Sequence, residues 1–175
     1  MDDPAPVATP QPESPPPIGS PLAILPGAVL GLDVGNRRLG VALLEPRGAY
    51  VHPLKIILRG KGHDDWADLR RLFRMHECRG FIVGIPLLKD GAEGEQARAV
   101  RCYLKALRRQ WPTTWVALVN EHLTSFEVEN PEGVEWSPGR RPASDDRAAA
   151  AILRRYLEEG PVEILPVADA TPKQG

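Results

Sequence analysis

One carboxylate inside an apolar run constrains this chain more than any other feature. Residues 28–44 read Ala-Val-Leu-Gly-Leu-Asp-Val-Gly-Asn-Arg-Arg-Leu-Gly-Val-Ala-Leu-Leu, and the aspartate is Asp33. An ionised carboxylate is costly to bury unless it is paired or binds a metal. The fold must therefore satisfy Asp33 internally or use it. The continuous apolar run predicts a central strand over Val29–Val34, buried on both faces. Gly35-Asn36 carries turn chemistry, and Arg38–Leu44 reads as the returning strand. Taken alone, an Asp next to a glycine is a turn residue accepting backbone N–H groups. The position of Asp33 within the strand weakens that reading.

The following segments set the architecture. Pro46-Arg47-Gly48 is a second turn and Tyr50–Leu58 a third strand, so the chain opens as an antiparallel meander. The pattern then changes. Asp64–His76 places Trp66, Leu69, Leu72 and Phe73 on one helical stripe. Gly80–Ile85 is a short apolar strand stopped by Pro86, and Pro86–Gly94 is a loop containing Asp90-Gly91. Glu95–Gln110 is a second helix, with Val100, Tyr103, Leu104 and Leu107 on its apolar face and Arg98, Arg101, Lys105 and Arg108 beside it as a solvated stripe. Trp115–Val119 is a further strand, and Asn120-Glu121-His122 follows it. Residues 126–143 are polar and rich in Pro and Gly, a mobile loop by composition. Ser144 can cap a last helix over Asp145–Glu159, ended by Gly160. Alternating strands and helices after the meander imply parallel pairing through right-handed crossovers. The expectation is an α/β domain: a mixed five-stranded sheet of order 3-2-1-4-5, flanked by helices.

Composition bounds the rest. Residues 1–26 hold nine of the 19 prolines and no Lys or Arg, a composition that does not support a packed core. They read as a disordered tail, with a domain over 27–165 and a flexible tail over 166–175. The net charge of −1 conceals 21 basic and 18 acidic residues in 27–160, a mildly basic balance compatible with a nucleic-acid partner. No apolar run is long enough to span a bilayer, and no basic-then-apolar signal segment opens the chain. Two cysteines, Cys78 and Cys102, make neither a disulfide framework nor a zinc site. A cytoplasmic protein without a membrane partner is expected.

In a sheet of this order, ligands gather at the carboxyl ends of the parallel strands. Asp33 lies near the end of the first strand, Glu121 directly after the last, and Asp145 at the start of the last helix. Their joint placement favours a site. Oxygen donors of this kind suit Mg²⁺ or Mn²⁺, and two such ions roughly 3.5–4 Å apart serve phosphodiester cleavage. Asp145 aligns with Ala149, Ile152 and Tyr156, whereas Asp146 aligns with Leu153 and Leu157, so periodicity does not choose between them.

These residues resemble the YqgF/RuvX family, RNase H-like nucleases described as Holliday-junction resolvase-like and as pre-16S rRNA nucleases. The opening motif appears as Gly31-Leu-Asp33-Val-Gly35-Asn-Arg-Arg38-Leu-Gly40-Val-Ala42, and the central one as Val83-Gly84-Ile-Pro86, then Asp90-Gly91, Gly94 and Gln96-Ala97. The third appears as Asn120-Glu121-His122-Leu-Thr-Ser125, and the last runs from Asp145 to Tyr156. The resemblance implies an RNase H-like fold and a metal-binding catalytic triad of Asp33, Glu121 and Asp145, and its spacing selects Asp145 over Asp146. It implies a divalent-metal-dependent endonuclease, with two ions and a pre-16S rRNA or branched-DNA partner, acting as monomer or homodimer. Asn120 stands where the family usually has Asp, and His122 where it usually has Arg. Those departures motivate the alternative of a non-catalytic module that binds structured nucleic acid. Arg37 and Arg38 beside the turn, Lys89 in the Pro86–Gly94 loop, His122, and Arg140 and Arg141 before Asp145 are the candidate substrate contacts. Trp136 is the candidate for base stacking.

Overall fold

The computed structural model describes residues 27–46, 50–60, 65–121 and 145–165, the side chains of residues 145 and 146 excepted. The proline-rich segment 1–26, His122, Trp136, Arg140, Arg141, the cap Ser144 and the tail 166–175 lie outside the described residues.

The chain runs β1 (Ala28–Val34), β2 (Arg38–Leu44), β3 (Val51–Leu58), α1 (Asp65–Met75), β4 (Cys78–Ile85), α2 (Glu95–Gln110), β5 (Trp115–Asn120), α3 (Asp145–Glu159) and β6 (Glu163–Leu165). The sheet order is β3-β2-β1-β4-β5-β6. The expected mixed order 3-2-1-4-5 of an RNase H-like fold is present, with one correction: a sixth strand follows the last helix. β6 is three residues long and pairs antiparallel with β5, Glu163 opposite Leu118. A segment so short, flanked by Pro161 and Pro166, shows no alternation from which a strand can be read.

β1 is the pivot. It pairs antiparallel with β2, Asp33 opposite Gly40, and parallel with β4, Leu32 opposite Val83. Its side chains alternate between two cores. Leu30 and Leu32 join Phe81, Val83, Leu104 and Leu107 beneath α1 and α2. Val29 joins Ile82, Trp115, Val119, Ile152 and Leu153 beneath α3. All are nearly inaccessible, and each large apolar side chain buried this way contributes about 1.5–3 kcal/mol. On the α3 face the middle of β1 is Gly31, where a Cβ would fall 2.5 Å from Cγ of Leu153. The glycine lets α3 lie directly against the sheet backbone.

Two-residue periodicity places Asp33 on the same face as Val29 and Gly31, the α3 face. Residue 121 shares a face with Val119 and Ala117, which are in the α3-side core. The two carboxyl groups thus come from the same side and the same end of the sheet.

Candidate active site

Asp33 is the penultimate residue of β1 and Glu121 the first residue after β5; both are partly buried. The Glu121 N–H donates to the Ile85 carbonyl at 3.0 Å, carrying the β4–β5 pairing one step past the strand. Between β1 and β5 lies β4, and the β4 residue on the α3 face at this level is Gly84. A Cβ there would fall 2.3 Å from Oε1 of Glu121 and 2.5 Å from Cδ1 of Ile152. The missing side chain is the space that the Glu121 carboxyl occupies. Glu121 reaches across β4 and hydrogen-bonds to Asp33.

A carboxyl pair can share a hydrogen bond only if one member keeps its proton. Burial pushes the Glu121 carboxyl up from 4.5 to about 8, and the Asp33 charge and the hydrogen bond to it push in the same direction. The chemistry of this donor set fits a hard divalent cation. Two oxygen-only donors converge at a strand end, the donor type that Mg²⁺ and Mn²⁺ take. Among the described residues no group of three or more His, Cys, Asp or Glu side chains converges at one point. The third expected ligand, Asp145, opens α3 at its first residue, and its side chain lies outside the described residues. Both stripes left open by periodicity are buried, Ala149 and Ile152 on one, Ala150 and Leu153 on the other. Ile152, on the Asp145 stripe, is the residue that abuts the Gly84 notch.

The turn after Asp33 is closed by the Gly35 N–H donating to the Arg38 carbonyl at 2.9 Å. Arg37 and Arg38 are exposed beside it. Arg59, at the end of β3, holds the turn from outside. Its backbone N–H donates to the Arg37 carbonyl at 3.0 Å, and its guanidinium donates to the Gly35 carbonyl. The same guanidinium pairs with Asp65 at 3.3 Å and lies 4.6 Å from the centroid of the Tyr103 ring. Sequence reasoning missed Arg59, which has no local partner to betray it, and it placed Gly84 in the central motif without the role of its missing side chain, which only the Glu121 carboxyl beside it reveals.

Lys89 is exposed in the Pro86–Gly94 loop, which is folded back on itself. The Leu88 N–H donates to the Ala92 carbonyl at 2.8 Å, the Gly91 N–H to the Leu88 carbonyl at 2.8 Å, and the Ala92 N–H to Oδ1 of Asp90 at 3.0 Å. Oδ1 of Asn120 accepts from the Leu87 N–H at 3.4 Å, so this amide ties the loop to the end of β5.

A family model described as RuvX, Holliday junction resolvase, matches residues 27–159. The chain is 36% identical over 137 residues to a protein of Synechococcus sp. (strain JA-3-3Ab) named "Putative pre-16S rRNA nuclease", across 77% of this chain and 85% of that one. It is also 36% identical over 141 residues to a protein of the same name from Thermobifida fusca (strain YX), across 75% of this chain and 87% of that one. A solved structure titled "T. thermophilus RuvC in complex with Holliday junction substrate" overlaps 80% of this chain and 99% of its own at 15% identity, with a TM-score of 0.49.

Proposed function

The chain belongs to the RuvX family of Holliday junction resolvases, and from that premise we propose that it is a divalent-metal-dependent endonuclease acting on structured nucleic acid in the cytoplasm. The observation that carries the reading is the Asp33–Glu121 pair: two carboxyl groups distant in sequence, hydrogen-bonded at one end of the sheet over a notch left by Gly84. Nothing in packing a core calls for two acids in contact; a cation does.

In this reading Asp33, Glu121 and Asp145 hold Mg²⁺ or Mn²⁺, two ions when substrate is bound. The bound metal supplies a water activated near neutral pH and stabilisation of the leaving oxygen. The protein's own part is positional. Arg59 holds the turn that carries Asp33, and the Glu121 N–H holds the other carboxylate to β4. Arg37, Arg38 and Lys89 are exposed at the same end of the sheet, where they meet phosphates as the strand approaches. His122, Arg140 and Arg141 complete the proposed contacts from the segment that precedes α3.

The relatives named for pre-16S rRNA and the family model named for Holliday junctions define the two substrates to test. Labelled RNA extended beyond the 5′ end of 16S rRNA and a labelled four-way DNA junction are incubated with the protein, with and without Mn²⁺. Metal-dependent endonucleolytic products are expected from one of them, and Asp33→Asn or Glu121→Gln abolishes cleavage while leaving affinity largely intact. Binding without metal-dependent products from either substrate would instead establish a non-catalytic module. Symmetric resolution of a junction additionally requires two sites related by a two-fold axis, so sedimentation of the protein–junction complex as a dimer is expected if DNA is the substrate.

A further inference from the structure

The turn after Asp33 has a second side. On the face of the sheet covered by α1 and α2, an open cleft of about 440 Å³ lies against it, within the size range of small-ligand sites. Asn36 of the turn and Arg59 form one wall, and Trp66 and Tyr103 another. The Trp66 and Tyr103 rings stack at 5.0 Å and 16°; Tyr103 is buried with the Arg59 guanidinium over its ring, and the half-buried Trp66 is the ring left for a ligand to meet. The Tyr103 hydroxyl is buried with no hydrogen-bond partner among the described residues. The helix side of the cleft is cut back to small side chains, Ala99, Cys102 and Ala106 of α2.

Asp65 also lines the cleft but is paired with Arg59, and the charge along α2 beside it is positive. Arg98, Cys102, Lys105 and Arg109 follow one another at helical spacing, so exposed cations continue the line of Cys102 in both directions along α2. No Asp or Glu occurs from Gln96 to Gln110. The acids of α1 that face this side are neutralised, Asp65 by Arg59 and Asp68 by Lys55, each at 3.3 Å. Arg98 and Lys105 read from sequence as part of an ordinary solvated helix face, with Arg101 and Arg108; the cleft gives them another use.

We propose that this cleft is a subsite for one unpaired nucleobase of the substrate strand, with the adjoining phosphates running along Arg98, Lys105 and Arg109. An aromatic ring bordered by a line of cations is the chemistry that holds single-stranded nucleic acid. The amide of Asn36 supplies a donor and an acceptor for a base edge. The subsite shares the Gly35-Asn36 turn with the Asp33–Glu121 pair, so a base seated here lies on one side of the turn while the carboxylates lie on the other. The inference rests on the nuclease reading for its choice of ligand, and it deepens that reading: the substrate carries an unpaired nucleotide next to the cut.

Cys102 reports on the site directly. It is exposed, whereas Cys78 is buried and its thiol is pushed up to about 12, so a maleimide modifies Cys102 selectively. Alkylation of the full chain is followed in EDTA with a short single-stranded oligoribonucleotide, and with an abasic oligomer of equal length and charge. The base-bearing oligomer is expected to slow modification on the order of tenfold at saturation, and the abasic one to leave the rate unchanged. Ala106→Trp, checked by melting to be folded, is expected to weaken binding of the base-bearing oligomer to the level of the abasic one. Equal modification rates with both oligomers, or undiminished base-dependent binding by Ala106→Trp, would overturn the subsite. Because neither measurement requires cleavage, protection in a chain that cuts nothing leaves the subsite standing and rejects the nuclease reading. Cleavage without protection does the reverse.

Discussion

Gly84 and Glu121 are fitted to each other: the Glu121 carboxyl fills the place where a Gly84 side chain would be, with Oε1 2.3 Å from the Cβ that glycine lacks. Cδ1 of the buried Ile152 would lie 2.5 Å from the same Cβ, so a side chain at residue 84 would meet both the Glu121 carboxyl and the core beneath α3. Gly84→Ala is therefore expected to push Glu121 off Asp33. A misplacement of about 1 Å at reacting groups costs on the order of 100-fold in rate, and the overpacking costs about 1–3 kcal/mol of stability. Cleavage rates at saturating Mn²⁺ together with thermal melts check this; full activity in Gly84→Ala would mean that Glu121 has no fixed place in the chemistry.

Arg59 offers a test of the turn alone. Arg59→Met removes the donor to the Gly35 carbonyl, the ion pair with Asp65 and the contact with the Tyr103 ring. A loss of about 2 kcal/mol of stability is expected from the charged hydrogen bonds. The informative readout is kinetic: kcat falls at least tenfold on the scale of positioning effects, with KM little changed. Arg59→Lys keeps the charge but not the planar fork, and is expected to recover part of the rate. A variant that melts earlier yet keeps kcat assigns Arg59 to stability only.

The carboxyl pair sets a pH dependence whose sign is unusual for an acid. Glu121 is at 4.5 when unfolded and about 8 in the metal-free fold, so the folded state holds the proton more tightly. Its contribution to stability is complete below pH 4.5 and is lost as pH rises through 8. In EDTA, the stability of wild type relative to Glu121→Gln should fall between those limits and level off above them. Asp33→Asn, which removes the opposing charge, should melt above wild type at pH 8 while being inactive. Mn²⁺ should restore the wild type, and more at pH 8 than at pH 6, because binding must displace the proton. Parallel melting curves for wild type and Glu121→Gln across this range would show that the pair does not share a proton.

Arg101 joins segments that are far apart in the chain. Its guanidinium donates to Oε1 of Glu93 at 2.6 Å and to Oε2 of Glu163 at 2.6 Å, linking the loop that bears Lys89 to β6 through α2. All three side chains are partly solvated, so the loss in Arg101→Gln is expected to be small, about 1 kcal/mol. With the loop released, KM for nucleic acid should rise several-fold while kcat holds; an unchanged KM would remove Lys89 from the substrate path.

What could be read from sequence divides along physical lines. Asp33 was legible because a charge within an apolar strand is an anomaly visible in one dimension, and α3 because Ser144, Asp145 and Gly160 bracket a periodic segment. The meander of β1 to β3 was legible from its turn residues. Partnerships across the fold were not. Arg59 acts on Gly35, a residue 24 positions away, and nothing in the local pattern of either points to the other. Gly84 contributes through the space it leaves, and Trp66 reads as a core residue of α1 until α2 is placed beside it. β6 escapes because it owes its strand conformation to its partner β5 rather than to its own three residues.

The two margins of the sheet carry a further consequence. At one, β3 contains Pro53 and an irregular register against Val41 and Ala42; at the other, β6 is three residues long and opens with Glu163. Proline, a bulge, brevity and charge are the devices by which natural sheets discourage edge-to-edge association. The matched family segment ends at residue 159, before β6. Shortening the chain to that segment would strip the cover from β5, a strand with five consecutive buried residues. β6 is thus a guard against aggregation, and a truncated protein is expected to precipitate where the full chain stays in solution.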